Sequence, residues 1–171
     1  MNLKIYFLLF LFLFNCKTEN KFKDFGSLKK DHFLIKLKVK VLKDDVFEVF
    51  YKNNYENKFT EIKKIRKGVA GNPEFQNVEF LISEKEFPFE FRIDLGENKQ
   101  QSDVIINKVV IESNNDSITI EKEFLATFFI VNKYLSLDTK TGTFIIHVLN
   151  DRRDPFIISK ALLVKKMEIE L

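Results

Sequence analysis

The segment LIKLKVKV (34–41) constrains this chain more than any other stretch. Ile35, Leu37, Val39 and Val41 alternate with Lys36, Lys38 and Lys40. Successive side chains of a strand point to opposite faces, so the pattern predicts a strand with one dry and one wet face. The lysines are then a solvated face that also guards an edge against pairing with other chains.

Similar logic runs down the chain. Lys43, Asp44 and Asp45 supply turn chemistry, and VFEVFYK (46–52) follows as a strand predicted to pair with the first as a hairpin. Residues 59–69 are ambiguous, because Ile62, Ile65 and Val69 fit a helical period and an irregular strand alike; Gly68, Gly71, Asn72 and Pro73 end the stretch. FQNVEFLI (75–82) carries apolar residues on both faces, which predicts cover on both sides. FEFRID (89–94) alternates cleanly and runs into a turn at Leu95, Gly96, Glu97 and Asn98. VIINKVVIES (104–113) and SITIE (117–121) flank Asn114, Asn115 and Asp116, residues that tolerate turn geometry. Residues 124–131 are a short helix or a buried crossing segment. YLSLD, TKTG and TFIIHV form a second hairpin, with Gly142 available for positive φ. Asp154-Pro155 breaks the chain, and Ser159 is placed to cap a helix over about 160–167. Seven to nine short strands with minor helical pieces predict an all-β fold, an antiparallel, jelly-roll-like β-sandwich with one or two short helices. Twenty Phe and no Trp point to an aromatic core.

Ahead of this domain, Lys4 is followed by ten hydrophobic residues (5–14) that stop at Cys16, the only cysteine. A bilayer span needs about 20 residues, so this run is a secretory signal rather than an anchor. Leu13-Phe14-Asn15-Cys16 resembles the lipobox of bacterial lipoproteins. The resemblance implies a signal peptide at 1–15, acyl chains of the palmitate class on Cys16, and anchoring to a bacterial membrane outside the cytoplasm. Lys17 is compatible with outer-membrane sorting. Residues 16–30, rich in Lys, Asp, Glu, Asn and Ser, are expected to act as a tether, leaving 31–171 as the folded domain.

The succession VKVLKDDVFEVFY, GNPEFQNVEFLI and FRIDLGEN resembles the jelly-roll accessory modules of bacterial lipoproteins, themselves similar to carbohydrate-binding and galactose-binding-like domains. The resemblance implies a sandwich and transfers no catalytic residue.

Composition narrows the chemistry. The balance of 28 basic to 25 acidic residues is interspersed, which argues against a nucleic-acid binder with its concentrated basic face. Two histidines and one cysteine cannot build a multi-histidine or thiolate metal centre. No phosphate loop, nucleophile elbow or zinc motif occurs. Tyr51 and Tyr55 beside Asn53 and Asn54 are the best platform for a glycan, since aromatic faces stack on sugars and amides bind hydroxyls, with loop packing as the alternative. Arg92 and Asp94, two apart on one strand face, either contact a ligand or pair with each other. Loop oxygens of Asp44 and Asp45, or those of Asn114, Asn115 and Asp116, are candidate ligands for a structural calcium. Two functions compete: a non-catalytic module that binds a glycan or a protein partner at the cell envelope, and a polysaccharide hydrolase that would need two converging carboxylates from among residues such as Glu48, Glu61, Glu74, Glu79 and Glu90.

Overall fold

β1 (Phe33–Val41) realises the alternation, with Phe33, Ile35, Leu37, Val39 and Val41 buried and the lysines between them half-exposed. Both of its edges are hydrogen-bonded, to β4 (Asn72–Ile82) on one side and β6 (Val104–Ser113) on the other, each antiparallel. The lysines therefore guard no edge. They stand on the outer face of a central strand, where Lys36 reaches Glu79 at 3.4 Å and Glu112 at 3.3 Å. The computed structural model describes residues 32–83, 87–101 and 103–171. The predicted signal peptide (1–15), Cys16 and the tether (16–30) lie outside the described residues.

Two antiparallel sheets face each other. The first has the order β4-β1-β6-β10-β9, with β10 at Thr143–Ile146 and β9 at Leu135–Asp138; β7 (Asp116–Glu121) pairs with the far half of β6. The second has the order β3-β2-β5-β11-β8, built from Lys64–Val69, Asp45–Lys52, Glu90–Asp94, Phe156–Ser159 and Phe129–Val131. Two short helices, α1 (Leu125–Phe128) and α2 (Ala161–Glu170), complete an all-β sandwich. Between the sheets lies a dry layer in which Phe47, Phe80, Phe91 and Phe144 are the largest fully buried side chains. Each contributes about 2 to 3 kcal/mol by leaving water.

Several expectations change. β1 and β2 do not form a hairpin; they lie in opposite sheets. Both edges of β1 are already occupied, and the link is tied across the gap: Asp44 Oδ1 accepts the Gly71 amide at 2.7 Å, and Asp45 Oδ1 accepts those of Glu97 at 2.7 Å and Asn98 at 2.9 Å. β4 is buried on one face only. Val78, Phe80 and Ile82 point inward, while Leu81 is exposed and Phe75 lies under the Lys40 ammonium at 5.5 Å. The ambiguous 59–69 stretch yields β3, and 124–131 splits into α1 and β8. The hairpins at Asn114 (φ +55°) and Gly142 (φ +73°) form as expected. Ser159 does not cap α2. Its hydroxyl accepts the Phe91 amide at 3.0 Å, and the helix starts one residue later from Lys160 without a side-chain cap. Eleven strands stand among the described residues because a short piece such as β8, three residues long, carries too little pattern to read.

Candidate functional site

α2 packs its Leu163 and Met167 side into the sandwich, one helical turn apart. The neighbouring face, Ala161, Val164, Lys165 and Glu168, follows the i, i+3, i+4, i+7 spacing of a single helical stripe and forms one wall of a cavity of about 500 Å³. Phe89, Glu90, Ile130 and Ser159 form the other wall. Phe89, Val164 and Glu168 also border a second cavity of about 200 Å³, closed by Asn53, Asn54 and Phe87. Ile130 and Lys160 are shared with a third, of about 470 Å³, bounded by β8 and β9. The three run along one flank of the sandwich as a groove with a mostly apolar floor and a rim of Lys160, Lys165, Glu90 and Glu168.

The loop that closes one end of this groove is a built turn. Asn53 Oδ1 accepts the Tyr55 amide at 3.0 Å, and the Glu56 carboxylate accepts the Asn53 amide at 2.9 Å and the Lys63 ammonium at 3.2 Å. The Asn53 amide and Lys63 hold the Glu56 carboxyl below the usual range. The turn presents the Tyr55 ring to solvent at 87 % exposure. Tyr51 faces the other way, packed against the core, so the two tyrosines do not form a shared platform.

Arg92 and Asp94 lie on the outer face of the second sheet. The guanidinium forks onto Asp94 with two bonds of 2.7 Å and is sandwiched between the rings of Phe50 at 4.3 Å and Phe156 at 4.7 Å. Burial, with Asp154 and Glu48 nearby, pushes the Asp94 carboxyl above its ordinary range despite the arginine. Next to it Glu48, 7 % exposed, accepts Lys64 at 3.0 Å and Arg66 at 2.9 Å. Arg66 also forks onto Glu97, holding that carboxyl low. This face is a lattice of mutually satisfied charges.

The loop end near Asp45 is equally closed. Asp45 Oδ1 accepts three backbone amides, from Val46, Glu97 and Asn98, and Gln101 Oε1 accepts that of Lys43 at 2.9 Å. Arg153 donates to the Gly96 carbonyl at 2.7 Å, and burial lowers its pKa. Asp45 Oδ2, Gln101 Nε2 and Arg153 Nη2 are buried here without a hydrogen-bond partner among the described residues. Asn114, Asn115 and Asp116 sit at the Phe33 end of β1, opposite the Asp45 end, about 26 Å away along the nine-residue strand. The two alternative sets of candidate calcium ligands therefore lie at opposite ends of the sandwich, and among the described residues no group of three or more His, Cys, Asp or Glu side chains converges. No described helix is long and apolar enough to cross a membrane.

Sequence reasoning singled out Asn53 and Asn54, which border one end of the groove, and Tyr55 in the same turn. It missed Phe89, Ile130, Lys160 and Val164, which come together only through the crossing of β8 and the docking of α2. The helical spacing of Ala161, Val164, Lys165 and Glu168 was a signal for Val164 alone; Phe89, Ile130 and Lys160 stand outside that stripe. Compared with family models, with curated proteins and with solved structures, the chain matches none.

Proposed function

We propose that this protein is a lipid-anchored, extracytoplasmic binding module of the bacterial cell envelope, non-catalytic, which holds a protein partner or a glycan in the groove beside α2. The observation that carries this reading is the groove itself: open, floored by Phe89, Ile130, Ala161 and Val164, and edged by an exposed tyrosine loop. Binding sites are concave and mainly apolar with a few placed polar groups, which is this composition. A hydrolase needs two carboxylates facing each other across a cleft. Glu90 and Glu168, the two on the rim, are each engaged by a lysine, Lys52 at 2.8 Å and Lys165 at 3.0 Å. The apolar floor favours a protein segment, and Tyr55 offers an exposed stacking surface of the kind a sugar would use. The N-terminal pattern ending at Cys16 supports the anchor.

Two measurements test the proposal. Labelled palmitate should enter the full chain and not a Cys16→Ser variant, which should leave the membrane fraction; equal membrane association of both overturns the anchor. On a glycan array, a hit should weaken by about 1 to 2 kcal/mol in Tyr55→Ala with the melt unchanged. Absence of glycan hits assigns the groove to protein, and release of reducing ends from envelope polysaccharide replaces binding with catalysis.

A further inference from the structure

β8 and β9 end their respective sheets at the same flank, and their outer edges border the third cavity. In an antiparallel ladder, hydrogen-bonded and non-bonded residues alternate, so the bonds at the ends of each strand fix the direction of every amide between them. Lys160 donates to the Phe128 carbonyl at 2.8 Å and Asn132 to the Phe156 carbonyl at 3.2 Å, flanking the Ile130–Ile158 pair. Residues 128, 130 and 132 thus bond inward to β11. The Phe129 carbonyl and both backbone groups of Val131 turn outward. On β9, His147 donates to the Tyr134 carbonyl at 2.8 Å, so residues 134, 136 and 138 bond inward to β10. Both backbone groups of Leu137 and the Leu135 carbonyl turn outward.

Two strand edges therefore offer donors and acceptors that have no partner among the described residues, around one slot of about 470 Å³ whose walls include Ala126, Phe129, Ile130, Leu135 and Leu137. Ile130 stands 53 % exposed beside it. Lys160, at the mouth, donates to the Ala126 carbonyl at 2.6 Å and is paired with no carboxylate among the described residues. We propose that this slot receives a short, extended, apolar strand of a partner protein, paired to the edges of β8 and β9 and carrying a carboxylate opposite Lys160. The backbone edges supply affinity, the apolar walls select alternate side chains, and the ammonium fixes the register. The shortness of both strands limits the pairing to a brief segment, which keeps the edge from recruiting strands at large.

This inference rests on the binding reading above, and the experiment separates the two. The full Cys16→Ser chain is titrated with synthetic peptides in which Val, Ile or Phe alternates with Thr and one position is Glu, and with matched peptides bearing Gln there. Glu peptides should bind and slow amide exchange at Val131 and Leu137. Val131→Pro and Leu137→Pro delete outward amides without touching the ladders and should each weaken binding about tenfold. Lys160→Gln should abolish the preference for Glu over Gln. Equal binding of Glu and Gln peptides by the Cys16→Ser chain itself overturns the carboxylate assignment. Unprotected Val131 and Leu137 amides in the bound Cys16→Ser chain overturn the slot, whatever the proline variants do. Protection appearing instead at Val164 and Tyr55 would move the ligand to the α2 groove and leave the binding reading standing. No binding by any peptide, together with an empty glycan array, would remove both.

Discussion

The Asp45 end and the β8–β9 flank both contain polar groups without partners, yet they differ in kind. At the Asp45 end the unpaired atoms are sealed from solvent: Asp45 Oδ2 and Gln101 Nε2 on buried side chains, and Nη2 of the half-buried Arg153. At the flank they belong to backbone beside an open slot. A sealed orphan costs stability, about 1 to 3 kcal/mol, and is tolerated only where neighbours hold it in place. An open one is solvated at little cost and remains free to pair. An unpaired group thus marks a contact surface only when something can reach it.

Substitutions can break or sharpen this contrast. Gly96 has φ +106°, and a Cβ there would stand 2.2 Å from Asp45 Oδ2. Gly96→Ala should therefore combine backbone strain with displacement of the Asp45 carboxylate and cost about 4 kcal/mol in chemical denaturation. A loss under about 1 kcal/mol would show that the closed end relaxes freely. Asp45→Ala should come next, about 2 to 3 kcal/mol, because the amides of Val46, Glu97 and Asn98 lose one shared acceptor. The double variant should cost less than the two single losses added, since the alanine at 96 then has no carboxylate to displace. Smallest in stability is Ile130→Ser at the flank, within about 0.5 kcal/mol because that side chain is already half in water. It should nevertheless weaken ligand capture, and a melt lowered as far as that of Asp45→Ala would mean the flank is structural.

The same contrast governs what the sequence disclosed. Period-two patterns exposed β1 and β5, and the turn residues Asn114 and Gly142 exposed two hairpins, because each signal is local; α2 was placed through Ser159 as its cap, a role that hydroxyl does not take. The β1–β2 link was legible as a turn but not as a change of sheet. That depends on Asp44 and Asp45 finding amides at residues 71, 97 and 98, and nothing near them in the chain announces those partners. Of the groove, only the Asn53–Tyr55 loop was legible, since exposed polar loops declare themselves. Arg92 and Asp94 were legible as a pair, but the two phenylalanine rings that occupy the faces of the guanidinium come from β2 and β11.

The placement of β1 also sets a tempo. Its neighbours arrive late: Phe33 pairs with Ile82 and with Ser113, whereas β6–β7 and β9–β10 close across their own turns. Hairpins of that kind form in microseconds, while strands that await distant partners fold orders of magnitude more slowly. An emerging chain would thus display a lysine-striped hydrophobic ribbon, with one edge unpaired until residues 72–82 exist and the other until residues 104–113 do. For that interval the alternating lysines work as a repellent between nascent chains, delaying aggregation until the second sheet edge is available.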